Sequence, residues 1–297
     1  MKLKNERKLS MGIINITLHP HSPERYVQLF RDVHRSKVVS KIGHKQSALI
    51  TSVTNYHIGD KSPDAPICGD LVKFTDIDLD GTWFDLTNNK IADEADIEEI
   101  NIPAHLKPNT SRFSFVFFPK QHLLFYEAYY LGKKLSPTAA VNSFKNILNN
   151  TRFLGKYGEA EVTHIPESDA LSAALLTKHI SLLKFKVTRP NADHFDEIEK
   201  KFLESMDKRN IAAITEEHKA VKGQSLEIDE KTKQKAMIAE HNGYVELKGR
   251  DGNQKVVEFS TTAHPRIENY FYDANEDRPL DFLFRMASKL VDRIKRK

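Results

Sequence analysis

Two apolar segments, Arg112 to Phe118 and Leu123 to Ala128, flank a short Pro-Lys-Gln-His turn. They are rich in the aromatic and branched residues that fit a pleated surface, so they read as adjacent strands at the heart of a core. What surrounds them must cover that surface. Gly12 to Leu18 alternates and is β-rich. Ser22-Pro23-Glu24 then opens a helix, with a capping serine, proline at the first helical position and an acid in the first turn. The helix runs to about Ser36, and Tyr26, Leu29, Phe30 and Val33 form its apolar stripe. Strands are expected near Ala48 to Val53 and Asp70 to Thr75. A small hairpin is expected from Trp83 to Leu86 and Lys90 to Ala92, across Asn88-Asn89. Residues 93–111 read as a loop with at most short helix. Ser136-Pro137 repeats the cap-plus-proline device ahead of Ala140, Phe144, Ile147 and Leu148, which line one helix face.

The second half alternates strand and helix. A strand from Ile180 to Thr188 precedes a helix carrying Phe195, Ile198, Phe202 and Met206, then a strand from Ile211 to Val221 and a helix near Glu230 to Glu240. Tyr244 to Arg250 and Lys255 to Ser260 form the clearest hairpin, around Asp251-Gly252, and a long terminal helix starts near Asp281. At 297 residues the chain suits two domains of roughly 150 residues each. Asn149-Asn150 and Gly155 to Gly158 mark a linker between them. The expected fold is therefore α+β: two mixed domains, 1–152 and 153–297, with largely antiparallel sheets and a long C-terminal helix.

Charge and hydropathy narrow the functional classes. No stretch approaches the ~18 to 20 apolar residues of a spanning helix, and the charged opening lacks a cleavage-like site, so neither membrane insertion nor a signal peptide is expected. Cys68 is alone, which excludes an internal disulfide and points to a reducing cytoplasm. The net charge of +4 is unevenly placed. Residues 76 to 99 hold nine Asp or Glu against Lys90 alone, and the rest of the chain is basic. Segregation of this kind suits a polyanion partner for the basic surface and a solvated acidic loop elsewhere.

Several motifs are partial. Asp76, Asp78, Asp80 and Gly81 match the first half of a calcium loop, but Thr87 stands where the bidentate Glu belongs, so a solvated turn is favoured over a metal site. Glu246-Leu-Lys248 resembles the Glu-x-Lys strand of one nuclease class, in which the carboxylate holds magnesium and the lysine orients water. That class needs an Asp on a neighbouring strand, and Asp229, the nearest, begins a helix. Arg189 and His194 have the spacing of a ribonuclease pair, with Pro190 between them. His19, His21, His44 and His57 have no metal-ligand spacing, and Cys68 has no activating context. There is no glycine-rich phosphate loop, so no cofactor is implied.

The basic surface remains. On the terminal helix Arg285, Lys289, Arg293 and Arg296 recur on one side, while Leu283, Met286, Leu290 and Ile294 lie on another. Lys248, Arg250 and Lys255 add a second basic element on the hairpin, and Lys2, Lys4, Arg7 and Lys8 a third at the N-terminal arm.

Three stretches carry a resemblance: Asn15-Ile-Thr-Leu-His-Pro-His-Ser-Pro-Glu24, Glu99-Ile-Asn-Ile-Pro-Ala-His-Leu-Lys-Pro108 and the strand pair Phe113 to Tyr126. They resemble the bacterial domain-of-unknown-function family 4747, a name that supplies no activity. The order of elements also looks like that of the phage lambda exclusion protein RexA. This second likeness implies a dimeric DNA-binding protein acting in antiphage defence. The expected function is thus a non-catalytic, homodimeric nucleic-acid binder, DNA ahead of RNA, that contacts phosphates with little sequence readout. Two alternatives stay open: a metal-dependent nuclease using Glu246 and Lys248, and an interaction subunit docking a protein partner through the acidic segment 76–99.

Overall fold

The computed structural model describes residues 5–79, 81–98, 100, 102–103, 105–167, 169–189 and 197–294. Its organising element is β1 (Glu6–Leu18), 13 residues long and buried without interruption from Leu9 onward. A strand of that composition is stable only when both faces and both edges are covered. The chain then forms α1 (Pro23–Arg35), β2 (Ser40–Gly43), β3 (Gln46–Asn55), β4 (Ile67–Thr75), the small hairpin β5 (Phe84–Asp85) and β6 (Lys90–Ile91), and α2 (Glu94–Glu98). The hairpin at the centre of the core follows as β7 (Ser111–Phe118) and β8 (Leu123–Tyr130), then β9 (Lys133–Lys134), α3 (Pro137–Leu148), α4 (Thr151–Tyr157) and β10 (Ala160–His164). Next come α5 (Ala170–Leu175), β11 (His179–Thr188), α6 (Glu197–Lys208), β12 (Ala213–Lys219), α7 (Glu230–His241), β13 (Gly243–Arg250) and β14 (Val256–Ser260). A 3-10 turn at Thr261–Ala263, β15 (Ile267–Asp273) and α8 (Pro279–Ile294) close the described chain.

Nine strands make the first sheet, in the order β10-β1-β8-β7-β4-β3-β2, with β9 beside β8. β15 also pairs with β1, antiparallel from Glu6↔Asp273 to Gly12↔Ile267, and β10 takes over the same edge from Ile14↔His164 to Leu18↔Ala160. One face carries Ile14, Ile16, Phe115, Phe117, Leu124 and Tyr126 under α1, α3 and α4. There Phe30 of α1 stacks on Phe117 with ring centroids 5.0 Å apart. The opposite face carries Leu9, Met11, Ile13, Val116 and Phe125 under Leu283, Ala287, Leu290 and Val291 of α8. A second, four-stranded antiparallel sheet, β12-β11-β13-β14, packs Leu183, Phe185, Val245 and Leu247 against Ala236 and Ala239 of α7.

The fold is α+β with antiparallel sheets, as the patterning implies. The capping devices act as read: Ser22 Oγ accepts from the Arg25 N–H at 3.3 Å and Ser136 Oγ from the Ala139 N–H at 3.2 Å. The segment expected as a linker takes part in the packing. Asn150 caps α4, which buries Phe153 and Tyr157, and Asn149 exchanges two 2.7 Å hydrogen bonds with the backbone of Ala160. The segment is clamped to the core. Further, β10, β15 and α8 all follow residue 152 and all join the first sheet layer, so a sheet built from both halves lies across the division at 152/153. Arg7 and Lys8, assigned to an N-terminal arm, lie in β1 opposite Tyr272 and Phe271. Lys2 and Lys4 lie outside the described residues. No described helix is long and apolar enough to cross a membrane.

At one point the sheet depends on a missing side chain. A Cβ at Gly12 would lie 2.2 Å from Cζ of Tyr126, a residue only 1% exposed in the centre of the first core. Gly12→Ala is therefore expected to destabilise by about 1–3 kcal/mol through overpacking. Combined with Tyr126→Leu, which opens that space, it should cost clearly less than the sum of the single changes. Urea midpoints of the four proteins measure this, and strict additivity would refute the steric account.

Candidate nucleic-acid interface

The sequence of α8 divides the helix into two faces, and the fold uses both. Leu283 is fully buried and Leu290 nearly so, while Met286 and Ile294 pack at the margin of the same core. Arg285, Lys289 and Arg293 emerge on the exposed side. Arg296 lies outside the described residues. The three cations differ in their surroundings. Arg285 forms a bidentate pair with Asp277, at 2.9 and 2.6 Å, and its guanidinium sits 5.1 Å from the Phe282 ring centroid. That pairing holds the Asp277 carboxyl below its usual range. No described carboxylate lies within ion-pair distance of Lys289 or Arg293. Beside Lys289 an open hollow is lined by Tyr56, Asp281, Phe284, Arg285 and Ser288. Tyr56 stacks on Phe284 at 3.6 Å, and its hydroxyl donates to Asp281 Oδ1 at 3.0 Å.

The hairpin cations divide in the same way. Lys248 is paired with Glu258 across the β13/β14 ladder at 3.1 Å. Arg250 donates to the Gln254 carbonyl at 3.0 Å, and Lys255 is exposed at the tip. The Lys178 stem reaches this tip from the start of β11, where its Cδ would be 3.9 Å from a Cβ at Gly252. Arg250, Lys255 and Lys178 thus gather at one end of the second sheet. The structure does not merge this cluster with the α8 face into one element. α8 packs on β1, β7 and β8, whereas β13 lies between β11 and β14.

The other motif residues fall into structural settings. Glu246 lies opposite Lys184 and Ser260, with Lys184 Nζ 4.0 Å from its carboxylate, and neither position opposite it supplies a second acid. Asp229 caps α7 by accepting from the Thr232 N–H at 2.7 Å. Asp76 accepts from the Ser47 hydroxyl and lies 3.6 Å from Lys107 Nζ, which ties it to β3 and the 106–110 turn. Asp80 is outside the described residues, Asp78 has no described hydrogen bond, and no described group of three His, Cys, Asp or Glu side chains is arranged to hold a metal. Arg189 pairs with Asp207, and His194 lies outside the described residues. His19 bonds the Arg189 carbonyl at 3.0 Å, His21 bonds the Tyr26 hydroxyl at 3.1 Å, and His57 stands edge-on to Tyr56. They do not converge. Burial pushes the Cys68 thiol up, away from a reactive thiolate.

One polar feature was not legible in the sequence. Ser52, Asp70, Ser114 and Glu127 form a row across four adjacent strands of the first sheet. Ser52 and Ser114 hydroxyls donate to the Asp70 carboxylate at 3.1 Å each, and the Ser114 backbone N–H donates to Glu127 Oε2 at 2.7 Å. The β7/β8 ladder stops at Phe115↔Tyr126, so this carboxylate replaces the next strand carbonyl. Its other oxygen, Oε1, is buried without a partner. Burial pushes the Glu127 carboxyl up to about 7. A lone Glu in an apolar strand gives no sign of such a row, because its partners are cross-strand and distant in sequence.

Taken together, fold and surface define a mixed α/β protein whose first sheet is closed by its own C-terminal strand and helix. The family model described as "Domain of unknown function (DUF4747)" matches residues 7–288, nearly the whole described chain, and the chain belongs to that family. No curated protein matches it.

The Glu127 setting makes stability depend on pH. A carboxyl raised from 4.5 to about 7 on folding costs nothing below pH 4.5, where both states are protonated; the cost grows as pH rises and is complete above about 7. Glu127→Gln should therefore gain on the native protein across that window by roughly 3 kcal/mol. Denaturant titrations of both proteins at several pH values test it, and a difference constant with pH would show that Glu127 ionises normally.

Proposed function

We propose that this protein binds nucleic acid without acting on it, duplex DNA ahead of RNA, through phosphate contacts. The observation that carries the reading is the exposed pair Lys289 and Arg293, which stands free of described carboxylates on a helix anchored by its opposite face. Cations held this way keep their stems on the protein and their charges available to a polyanion. The tip cluster of Arg250, Lys255 and Lys178 supports the same reading. Lys248 and Arg285, which already have carboxylate partners, contribute less net charge to it. Homodimerisation, a place in antiphage defence and residence in the cytoplasm rest on the RexA-like order of elements and on the lone cysteine, and belong to this proposal.

A second reading keeps one specific observation. Within the acidic segment, Phe84, Leu86 and Ile91 are 53%, 89% and 59% exposed, an apolar surface among carboxylates that suits a basic protein partner.

Duplex affinity is expected to fall with salt with a log-log slope of roughly −3, as counterions are released from about three phosphates. Lys289→Glu together with Arg293→Glu should flatten the slope by about two units and weaken all sequences alike. Fluorescence anisotropy over a salt series measures this, with circular dichroism to confirm folding. Unchanged slope in the folded double variant would dismiss the α8 face, and absence of binding at physiological salt would favour the second reading. Light scattering at micromolar concentration tests the dimer, for which a mass near that of one 34.0 kDa chain would be decisive against it.

A further inference from the structure

α3 carries a polar stripe beside its buried one. Its apolar stripe, Ala140, Phe144, Ile147 and Leu148, is buried in the first core. Thr138, Asn142 and Lys145, spaced four and three residues apart on another side, line a cleft of about 370 Å³. The opposite wall is the second sheet, where Lys186 of β11 and Tyr244 of β13 are register partners. β10 runs along the cleft and contributes His164.

Two lysines therefore reach one concave space from separate elements. No described carboxylate pairs with either of them, and Glu161 is the one acid among the described lining residues. Other polar groups of the cleft are already occupied: the Thr188 hydroxyl donates to the Asn242 carbonyl at 2.6 Å and the Thr163 hydroxyl to that of His241 at 3.4 Å. The side chains of Thr138 and Asn142 have no described hydrogen-bond partner and are available to a ligand. Nδ1 of His164 is buried and lacks a partner. The cleft thus joins excess positive charge, free amide and hydroxyl groups and one aromatic ring, in a volume at the lower end for small-molecule sites.

We propose that the cleft between α3 and the β11/β13 edge binds a nucleoside monophosphate, with Lys145 and Lys186 on the phosphate and Tyr244 against the base. Lysine serves phosphate as a point charge and needs no bidentate geometry, which suits two side chains from opposite walls. An aromatic ring accepts any base by stacking, so discrimination falls to Asn142 and Thr138. The site shares no residue with the α8 face or the hairpin tip. It is a small-ligand site distinct from the surface assigned to nucleic acid.

Isothermal titration of the full chain with AMP, GMP, CMP, UMP and inorganic phosphate tests the proposal. At least one nucleotide is expected to bind and to raise the melting temperature of the unmodified protein. Lys145→Glu and Lys186→Glu should each weaken it about tenfold or more, the loss of one charge-assisted contact. Tyr244→Ala should weaken nucleotides and leave inorganic phosphate unaffected. Duplex binding should survive the Lys145 and Lys186 changes, and nucleotide binding should survive Lys289→Glu with Arg293→Glu, so the two readings fail separately. Absence of both heat and thermal shift with all four nucleotides would overturn the proposal. So would nucleotide affinity unchanged in both lysine variants, or inorganic phosphate binding as tightly as the nucleotides.

Discussion

The edge of β1 is shared between two strands, and most of the architecture follows from that. β15 takes the first half of the edge and β10 the second, while β8 covers the other edge. Neither β10 nor β15 would suffice alone, because a long apolar strand left with half an edge open presents unpaired amides to other chains. Both partners come from the C-terminal part of the sequence. Once β15 is in place, the turn that follows it delivers α8 to the sheet face that α1, α3 and α4 leave bare. Burial on that face, at ~1.5–3 kcal/mol for each large side chain, then holds the helix with its cations outward.

The second sheet depends on the same junction. It is joined to the first through main-chain carbonyls: Asn15 Nδ2 donates to the His241 carbonyl at 3.2 Å, the Thr163 hydroxyl donates to the same carbonyl at 3.4 Å, and His19 contacts that of Arg189 at 3.0 Å. Contacts of this kind fix position without demanding a particular side chain on the residue whose carbonyl accepts. They place β11 and β13 beside α3 and β10, and the cleft lies between those elements. Charge is organised by the same economy. Cations close to acids in the sequence or across a ladder, such as Arg285 and Lys248, are paired, whereas Lys289, Arg293 and Lys255 have no described carboxylate within ion-pair distance.

Local signals in the sequence were strong wherever one element explains itself. The serine-proline caps of α1 and α3, the β7/β8 pair and the β13/β14 hairpin are all legible, because their determinants lie within a few residues. What was illegible is non-local. The asparagines at 149–150 have the composition of a linker, yet they act as a cap and a clamp, since Asn149 finds its partner at Ala160. β10 and β15 are short, mixed in polarity and defined by their pairing with β1, which no window of residues contains. The α8 face could be read from helical spacing, but the neutralisation of Arg285 by Asp277 required the turn before the helix to be seen folded. Lys145 and Lys186 gave no sign of meeting, being far apart in sequence and on different kinds of element.

The closure of the first sheet by β15 and α8 bears on how the chain is made. During synthesis β1, β7 and β8 emerge early, but the strand that completes the β1 edge and the helix that covers Leu9, Met11 and Phe125 follow only after residue 266. Until those elements emerge, the nascent chain carries an apolar sheet face and a half-open edge. Such intermediates are prone to aggregation and to chaperone capture. The face under α1, α3 and α4, built from residues 14 to 162, can pack first, whereas the face under α8 waits until that helix has been made.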